Sequence, residues 1–286
     1  MVARQKEQLR PLRAYKNPLF LNSKDARVIR ILSEFLEPLS RFNYFGIKDI
    51  IVFFGSARIQ SPVIARQKLS ETVSKLKKRK KFDYKQSEEY RKAKTAVEMS
   101  AYYRDAADLA FLLTKWSASL KEKNRFVVCT GGGPGIMEAA NKGASLAKGR
   151  SIGLNIGLQF EQYPNKYISS ELNFEFHYFF MRKYWFMYLG KALVAFPGGF
   201  GTLDELMELL TLLQTRKIKK KMTVILYGKK FWEHVLNFPF LQEYGMIAKE
   251  DFELFKFADT PTEAFKLLKN GLIKNYPQKI DLKYYK

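Results

Sequence analysis

The sequence predicts an α/β fold of doubly wound topology: a mostly parallel sheet flanked by helices, in a single domain with an N-terminal helical extension. Short apolar runs end in small residues, at Ile50–Phe54 before Gly55, Phe126–Cys129 before Gly131, Ala192–Phe196 before Gly198 and Thr223–Tyr227 before Gly228. Continuous rather than alternating apolar runs suit strands buried on both faces, as in parallel sheets. Helical periodicity fills the intervals, at about 97–119, 135–147, 178–190, 203–215 and 261–269. Strands alternating with helices give βαβ units.

Residues 1–45 read as a basic, proline-punctuated extension holding one helix. Asp25 is its candidate cap, Val28, Ile31, Leu32 and Phe35 form its apolar stripe, and Pro38 is expected to end it. The α/β domain runs over 46–272. Within it, residues 58–95 are polar and charged, a partly helical insertion between the first strand and its crossover helix. Residues 273–286 form a C-terminal tail.

Hydrophobic residues make up 47% of the 286, enough for a sizeable core. A single cysteine, Cys129, excludes an intrachain disulfide and reads as a small apolar residue at a strand end. The N-terminus carries charge but no apolar segment follows it, and no run of 18 apolar residues occurs. The expected compartment is the cytoplasm, with no membrane partner. Two histidines rule out a multi-histidine metal site. Fifty Lys and Arg against 28 Asp and Glu give a net charge of +22, a field that attracts phosphorylated metabolites, nucleic acid or acidic lipid. The basic runs Lys75–Lys81 and Lys217–Lys221 read as solvated helix ends and loops. Aromatic and basic residues interleave in no nucleic-acid motif, so nucleic acid is not the favoured partner.

Such sheets bind ligands at the carboxyl ends of their strands. Two glycine-rich turns fall there. The first, Gly131 to Gly135, has four glycines in five residues before a helix near Ile136. Glycines allow a sharp turn and close approach, and the helix start offers N–H groups to an anion. Its spacing is neither the dinucleotide fingerprint nor a P-loop. The second, Pro197 to Thr202, again leads a buried strand into a helix. A phosphate is expected on Gly198, Gly199, Gly201 and Thr202, with help from Gly132 and Gly133. Ser56 and Arg58, after the first strand, are candidate lining residues. Thr202 and Glu205 also fit a capping box, which leaves two uses open for the same carboxylate. Asp204 reads as solvent-facing, while Glu205 and Glu208 share a helix face.

Three stretches carry a resemblance. PGGFGTLDE at Pro197–Glu205 matches the PGGxGTxxE signature of the Lonely Guy (LOG) family; Met181-Arg182-Lys183 resembles that family's arginine-lysine motif; and GGGPGIMEAANKGA resembles its first glycine loop and helix. The likeness covers roughly residues 48–270 and points to a longer bacterial branch, with Phe179-Phe180-Met181 replacing a histidine and glutamate that often precede the arginine. It implies a Rossmann-like fold and a phosphoribohydrolase that releases the free base and ribose 5-phosphate from nucleoside 5′-monophosphates of adenosine or cytokinin type. It implies that Arg182 and Glu205 are the catalytic pair. Met181, Lys183 and Glu208 are further candidate lining residues beside them. It further implies no redox cofactor or metal, and homodimers or larger homo-oligomers.

The chemistry suits the pair. Cleaving a glycosidic bond builds oxocarbenium charge on the ribose, which a carboxylate stabilises while orienting or deprotonating water. Arginine stays charged, so its part is electrostatic and positional. A different class of function stays open: a nucleotide-sensing or nucleic-acid-associated binding module without turnover, supported by the charge of +22. Lysine decarboxylation, an activity sometimes attached to the family's label, would normally need pyridoxal phosphate on a lysine, and no Schiff-base context is recognisable.

Overall fold

The computed structural model describes residues 11–78, 83–122, 125–157 and 163–277. The basic run past residue 78, the first ten residues and the tail past residue 277 lie outside them. One sheet holds β1 Ile50–Phe54, β2 Val127–Thr130, β3 Ser151–Ile156, β4 Asn173–Phe176, β5 Gly190–Ala195, β6 Thr223–Tyr227 and β7 Lys256–Ala258. Its order is β4-β3-β2-β1-β5-β6-β7 and every neighbouring pair is parallel, so the sheet is fully rather than mostly parallel. The chain winds outward from β1 to β4, then returns to β5 on the other side of β1. The β1/β5 boundary is the topological switch point, where such sheets open a crevice.

Around the sheet lie α1 Arg27–Tyr44, α2 Pro62–Lys77, α3 Glu88–Ala118, α4 Ile136–Leu146, α5 Phe179–Leu189, α6 Phe200–Gln214, α7 Lys229–Val235, α8 Phe238–Glu243 and α9 Pro261–Asn275. Alternation along the strands divides the core in two. Ile50, Val52 and Phe54 of β1 join Leu193 and Ala195 of β5 on one face, against Phe42, Trp185, Phe186, Leu206 and Trp232. Ile51, Phe53, Ala192 and Val194 meet Tyr103, Leu109, Ile136, Ala139 and Leu268 on the other. All of β1 is buried, which is why its sequence reads as an unbroken apolar run. The buried Trp232 indole donates to the Ala195 and Tyr227 carbonyls at 3.0 and 3.1 Å, so its polar edge is satisfied. Among the described residues no helix is long and apolar enough to cross a membrane.

Three strands depart from the sequence expectation. β3 contains the buried polar Asn155, while β4 and β7 are short edge strands with exposed members. None presents a continuous apolar run. The 58–95 region holds α2 and the first turns of α3, whose cap is Ser87 through its hydroxyl to the Tyr90 N–H at 3.1 Å.

The extension also differs. Asp25 does not cap α1, which starts after Ala26 without a side-chain cap. Val28 and Leu32 are exposed; the face turned to the core carries Ile31, Phe35, Leu39 and Phe42. Pro38 does not end the helix, which continues to Tyr44 with the proline buried inside it. A proline at that position leaves the Glu34 carbonyl without its helical donor. The indole Nε1 of Trp185 supplies one at 3.0 Å.

Candidate active site

The turns after β1, β2 and β5 converge on the switch point. Ser56 ties them together: its N–H donates to the Pro197 carbonyl at 3.0 Å and its carbonyl accepts from the Ile136 N–H at 3.1 Å. Between them opens a cleft of about 620 Å³, lined by residues 54–58, Gly131, Met137, Arg182, residues 199–203 and Glu205.

Arg182 projects from the first turn of α5 and Glu205 from the second turn of α6. Arg182 Nη2 lies 2.9 Å from Glu205 Oε1. Glu205 is only 8% exposed. Burial pushes its carboxyl up to about 7, against the pull of the Arg182 guanidinium and with added push from Asp204. The Arg182 guanidinium lies 5.2 Å from the Phe179 ring and 5.8 Å from the Phe186 ring. Its Nε is buried with no acceptor among the described residues.

The capping alternative for Glu205 is not what forms. α6 begins at Phe200 with Gly199 as its N-cap and no side-chain cap. Thr202 therefore sits inside the first turn, packed so closely over Gly198 that a Cβ there would lie 2.1 Å from Thr202 Oγ1. The helix starts early because the two glycines complete the turn before it.

The first glycine loop is also placed differently from expectation. Gly132 and Gly133 do not line the cleft. The Asn165 side-chain amide donates to their carbonyls at 3.0 and 3.1 Å and to Asn141 Oδ1 at 2.9 Å. Gly132 (φ +76) would place a Cβ 1.9 Å from Asn155 Oδ1, and Gly135 (φ +72) would place one 2.3 Å from the Ser56 carbonyl. These glycines close a tight turn, and Gly131 is the one of them that reaches the cleft. The first N–H of α4 is taken by Ser56.

The N-terminus of α6 is different. The leading N–H groups of a helix have no partner within it, and Gly199, Phe200, Gly201 and Thr202 all border the cleft. Backbone donors and the positive helix end together favour an anion. Gly198, behind Thr202, is not part of the lining.

Ser56 and Arg58 line the cleft. Met181 is buried in the core. Lys183 lies outside the cleft, bridging Asp204 and Glu208 at 2.8 and 3.0 Å, and Asp204 faces solvent as expected while making that ion pair. Sequence reasoning missed Met137 and Phe200. Nothing in one sequence separates Met137 from a core position of α4. Phe200, 92% exposed between two glycines, could have been found from that flanking pattern. Burial pushes the Cys129 thiol up, with Glu205 adding to it. Among the described residues no group of three metal-ligating side chains occurs.

A family model described as "Possible lysine decarboxylase" matches residues 137–268. Residues 137–268 are similar to that family, a stretch of 132 of the 286 residues. The match starts past the first glycine loop and includes both Arg182 and Glu205. No curated protein matches the chain. Among solved structures, a molybdenum cofactor binding protein from the phototrophic bacterium Rippkaea orientalis is 20% identical over 59% of this chain and 86% of its own, with a TM-score of 0.42. A structural genomics target solved by X-ray is 17% identical over 78% and 99%, with a TM-score of 0.45. A Moco carrier protein from Chlamydomonas reinhardtii is 19% identical over 79% and 99%, with a TM-score of 0.42.

Proposed function

We propose that the protein hydrolyses the N-glycosidic bond of a nucleoside 5′-monophosphate, releasing the free base and ribose 5-phosphate. The observation that carries this is the buried Arg182–Glu205 pair set in the same cleft as the open N-terminus of α6. The phosphate takes the backbone donors of residues 199–202. That remote grip orients the ribose with C1′ toward Glu205. The carboxylate stabilises the oxocarbenium charge and takes a proton from the attacking water, while the C1′–N bond breaks and the base leaves. Arg182 meets the negative charge that develops on the base, which then takes the water's proton from Glu205 to leave as the neutral base and restore the carboxylate. We take the active form to be a cytoplasmic homodimer or larger homo-oligomer that needs no metal or redox cofactor.

Two consequences follow from the geometry. A working base must be ionised, and burial raises Glu205 to about 7. Turnover is therefore expected to climb between about pH 6 and pH 8, and an acid limb centred near the ordinary carboxylate value of 4.5 would rule out Glu205 as the base. Secondly, a Cβ on Gly201 meets nothing within 4 Å in the protein, yet Gly201 borders the cleft. Gly201→Ala should leave Tm unchanged or slightly raised while KM rises roughly tenfold through lost phosphate contact. An unchanged KM would move the phosphate elsewhere.

The direct test incubates the full chain with adenosine, guanosine, cytidine and uridine monophosphates and follows products by chromatography. Free base appearing in step with ribose 5-phosphate supports the hydrolase. Saturable nucleotide binding by calorimetry with no product from any of the four would make it a binding module.

A further inference from the structure

α5 carries Arg182, yet it has no cap of its own: its N-cap residue, Tyr178, makes no side-chain cap hydrogen bond. The extension instead holds the two residues that lead into it, from far away in sequence. Glu34 of α1 accepts the His177 N–H on Oε1 at 2.7 Å and the Tyr178 N–H on Oε2 at 3.2 Å. A carboxylate at a helix N-terminus is favoured twice, by the hydrogen bonds and by the dipole. The Glu34 carbonyl, freed by Pro38 four residues on, accepts the Trp185 indole at 3.0 Å. One residue of α1 thus grips α5 at its entry and again one turn past Arg182.

The connection onward is short. The Tyr178 carbonyl accepts the Arg182 N–H at 3.2 Å and the Met181 N–H at 3.1 Å. Arg182 then reaches Glu205 at 2.9 Å. Packing holds the two helices in register: the Phe35 ring lies 5.6 Å from Tyr184 and 5.7 Å from Trp185, and Phe42 lies 5.3 Å from Trp185. The Arg27 guanidinium stands 5.8 Å over the Tyr178 ring.

We propose that Glu34 is a positioning residue: through the first turn of α5 it sets the Arg182 guanidinium against Glu205, which makes the N-terminal helix a working part of the site. This rests on the hydrolase reading for its kinetic consequence, but not for its structural one. It also gives Pro38 a purpose, since an ordinary residue there would compete with Trp185 for the Glu34 carbonyl.

The experiment compares full-length wild-type, Glu34→Ala and Glu34→Gln proteins. Glu34→Ala should lower kcat by about 10- to 100-fold, the scale of a small misplacement of a reacting group. KM for the nucleotide should change little, because the phosphate is held by α6. The acid limb of the pH profile should shift upward, since a loosened Arg182 no longer pulls the Glu205 carboxyl down. Glu34→Gln keeps one of the two acceptors and sets its NH2 against the other N–H, so it should recover only part of the rate. A merely structural role would lower Tm and the active fraction but leave the pH midpoint in place.

Two readouts do not depend on turnover. Amide exchange across residues 177–183 should quicken in Glu34→Ala, and the Glu205 carboxylate, followed by infrared difference spectroscopy, should titrate at higher pH. If wild-type protein releases no base, the hydrolase reading fails while these two still decide the role of Glu34. Unchanged exchange and an unchanged Glu205 midpoint in Glu34→Ala overturn the proposal.

Discussion

Glu205→Gln is expected to lower base release by about 10³-fold or more while leaving the protein folded. The substitution removes the group proposed to meet the oxocarbenium charge and to take a proton from water, and glutamine can do neither. Its side-chain oxygen can still accept from Arg182 Nη2, so the 2.9 Å contact has a successor. The stability effect should depend on pH in a defined direction. Burial raises the Glu205 carboxyl from 4.5 to about 7. Between those values the folded protein keeps a proton that the unfolded chain has lost, so ionisation erodes wild-type stability as pH rises, and the loss is complete above pH 7. Glutamine cannot ionise. Measured against wild type, the Tm of the variant should therefore be more favourable at pH 8 than at pH 5. Chromatography of released base and thermal melts at the two pH values test both halves. Activity within tenfold of wild type would remove Glu205 from the chemistry.

Much of this site can be read from the sequence because its parts are local. The strand-to-glycine boundaries at Phe54, Thr130 and Phe196 are set by neighbouring residues, and they place three turns at one sheet edge. Arg182 and Glu205 were legible only through motif likeness, since nothing local requires residues 23 apart to meet. What escaped depends on distant partners. The glycines at 132 and 133 look like a phosphate cradle until Asn155 is seen to fill the space beside the first and Asn165 to take the carbonyls of both. Pro38 looks like a helix stop, and fails to be one because Trp185 satisfies the carbonyl it orphans. β3 was hidden by Gly153 and Asn155. The latter is buried because its amide donates to the Asn173 side chain and the Phe174 carbonyl at 2.7 and 2.8 Å. Apolar patterning finds strands whose burial is hydrophobic and misses those whose burial is hydrogen-bonded.

At the opposite edge of the sheet, Asp49→Ala is expected to cost about 3–5 kcal/mol of folding stability. Asp49 stands just before β1 and Arg125 just before β2, and they are 7% and 8% exposed. Asp49 Oδ2 lies 2.7 Å from Arg125 Nε, and Oδ1 lies 3.4 Å from Lys191 Nζ on β5. One carboxylate therefore joins the starts of the three central strands, and its own carbonyl accepts the Val127 N–H at 3.0 Å. Alanine would leave these cations facing one another. Lys220 stands near Lys191: burial and then Lys191 pull its ammonium down to about 7, and Asp49 opposes them. Lys220 can shed its proton, but Arg125 cannot. The clamp also holds a strained turn. Phe126 has φ +53, with its ring 5.4 Å from Trp116 and under the Arg125 guanidinium at 4.6 Å. Such a conformation costs about 1–3 kcal/mol and persists only while its surroundings over-determine it. Denaturant unfolding tests the assignment. Adding Arg125→Met to Asp49→Ala should recover part of the loss, because the more buried of the two cations goes with its carboxylate and Lys191 alone is left without it. A loss below about 1 kcal/mol for Asp49→Ala alone, the scale of an exposed pair, would mean that water already reaches the cluster and that the strand starts are held by packing instead.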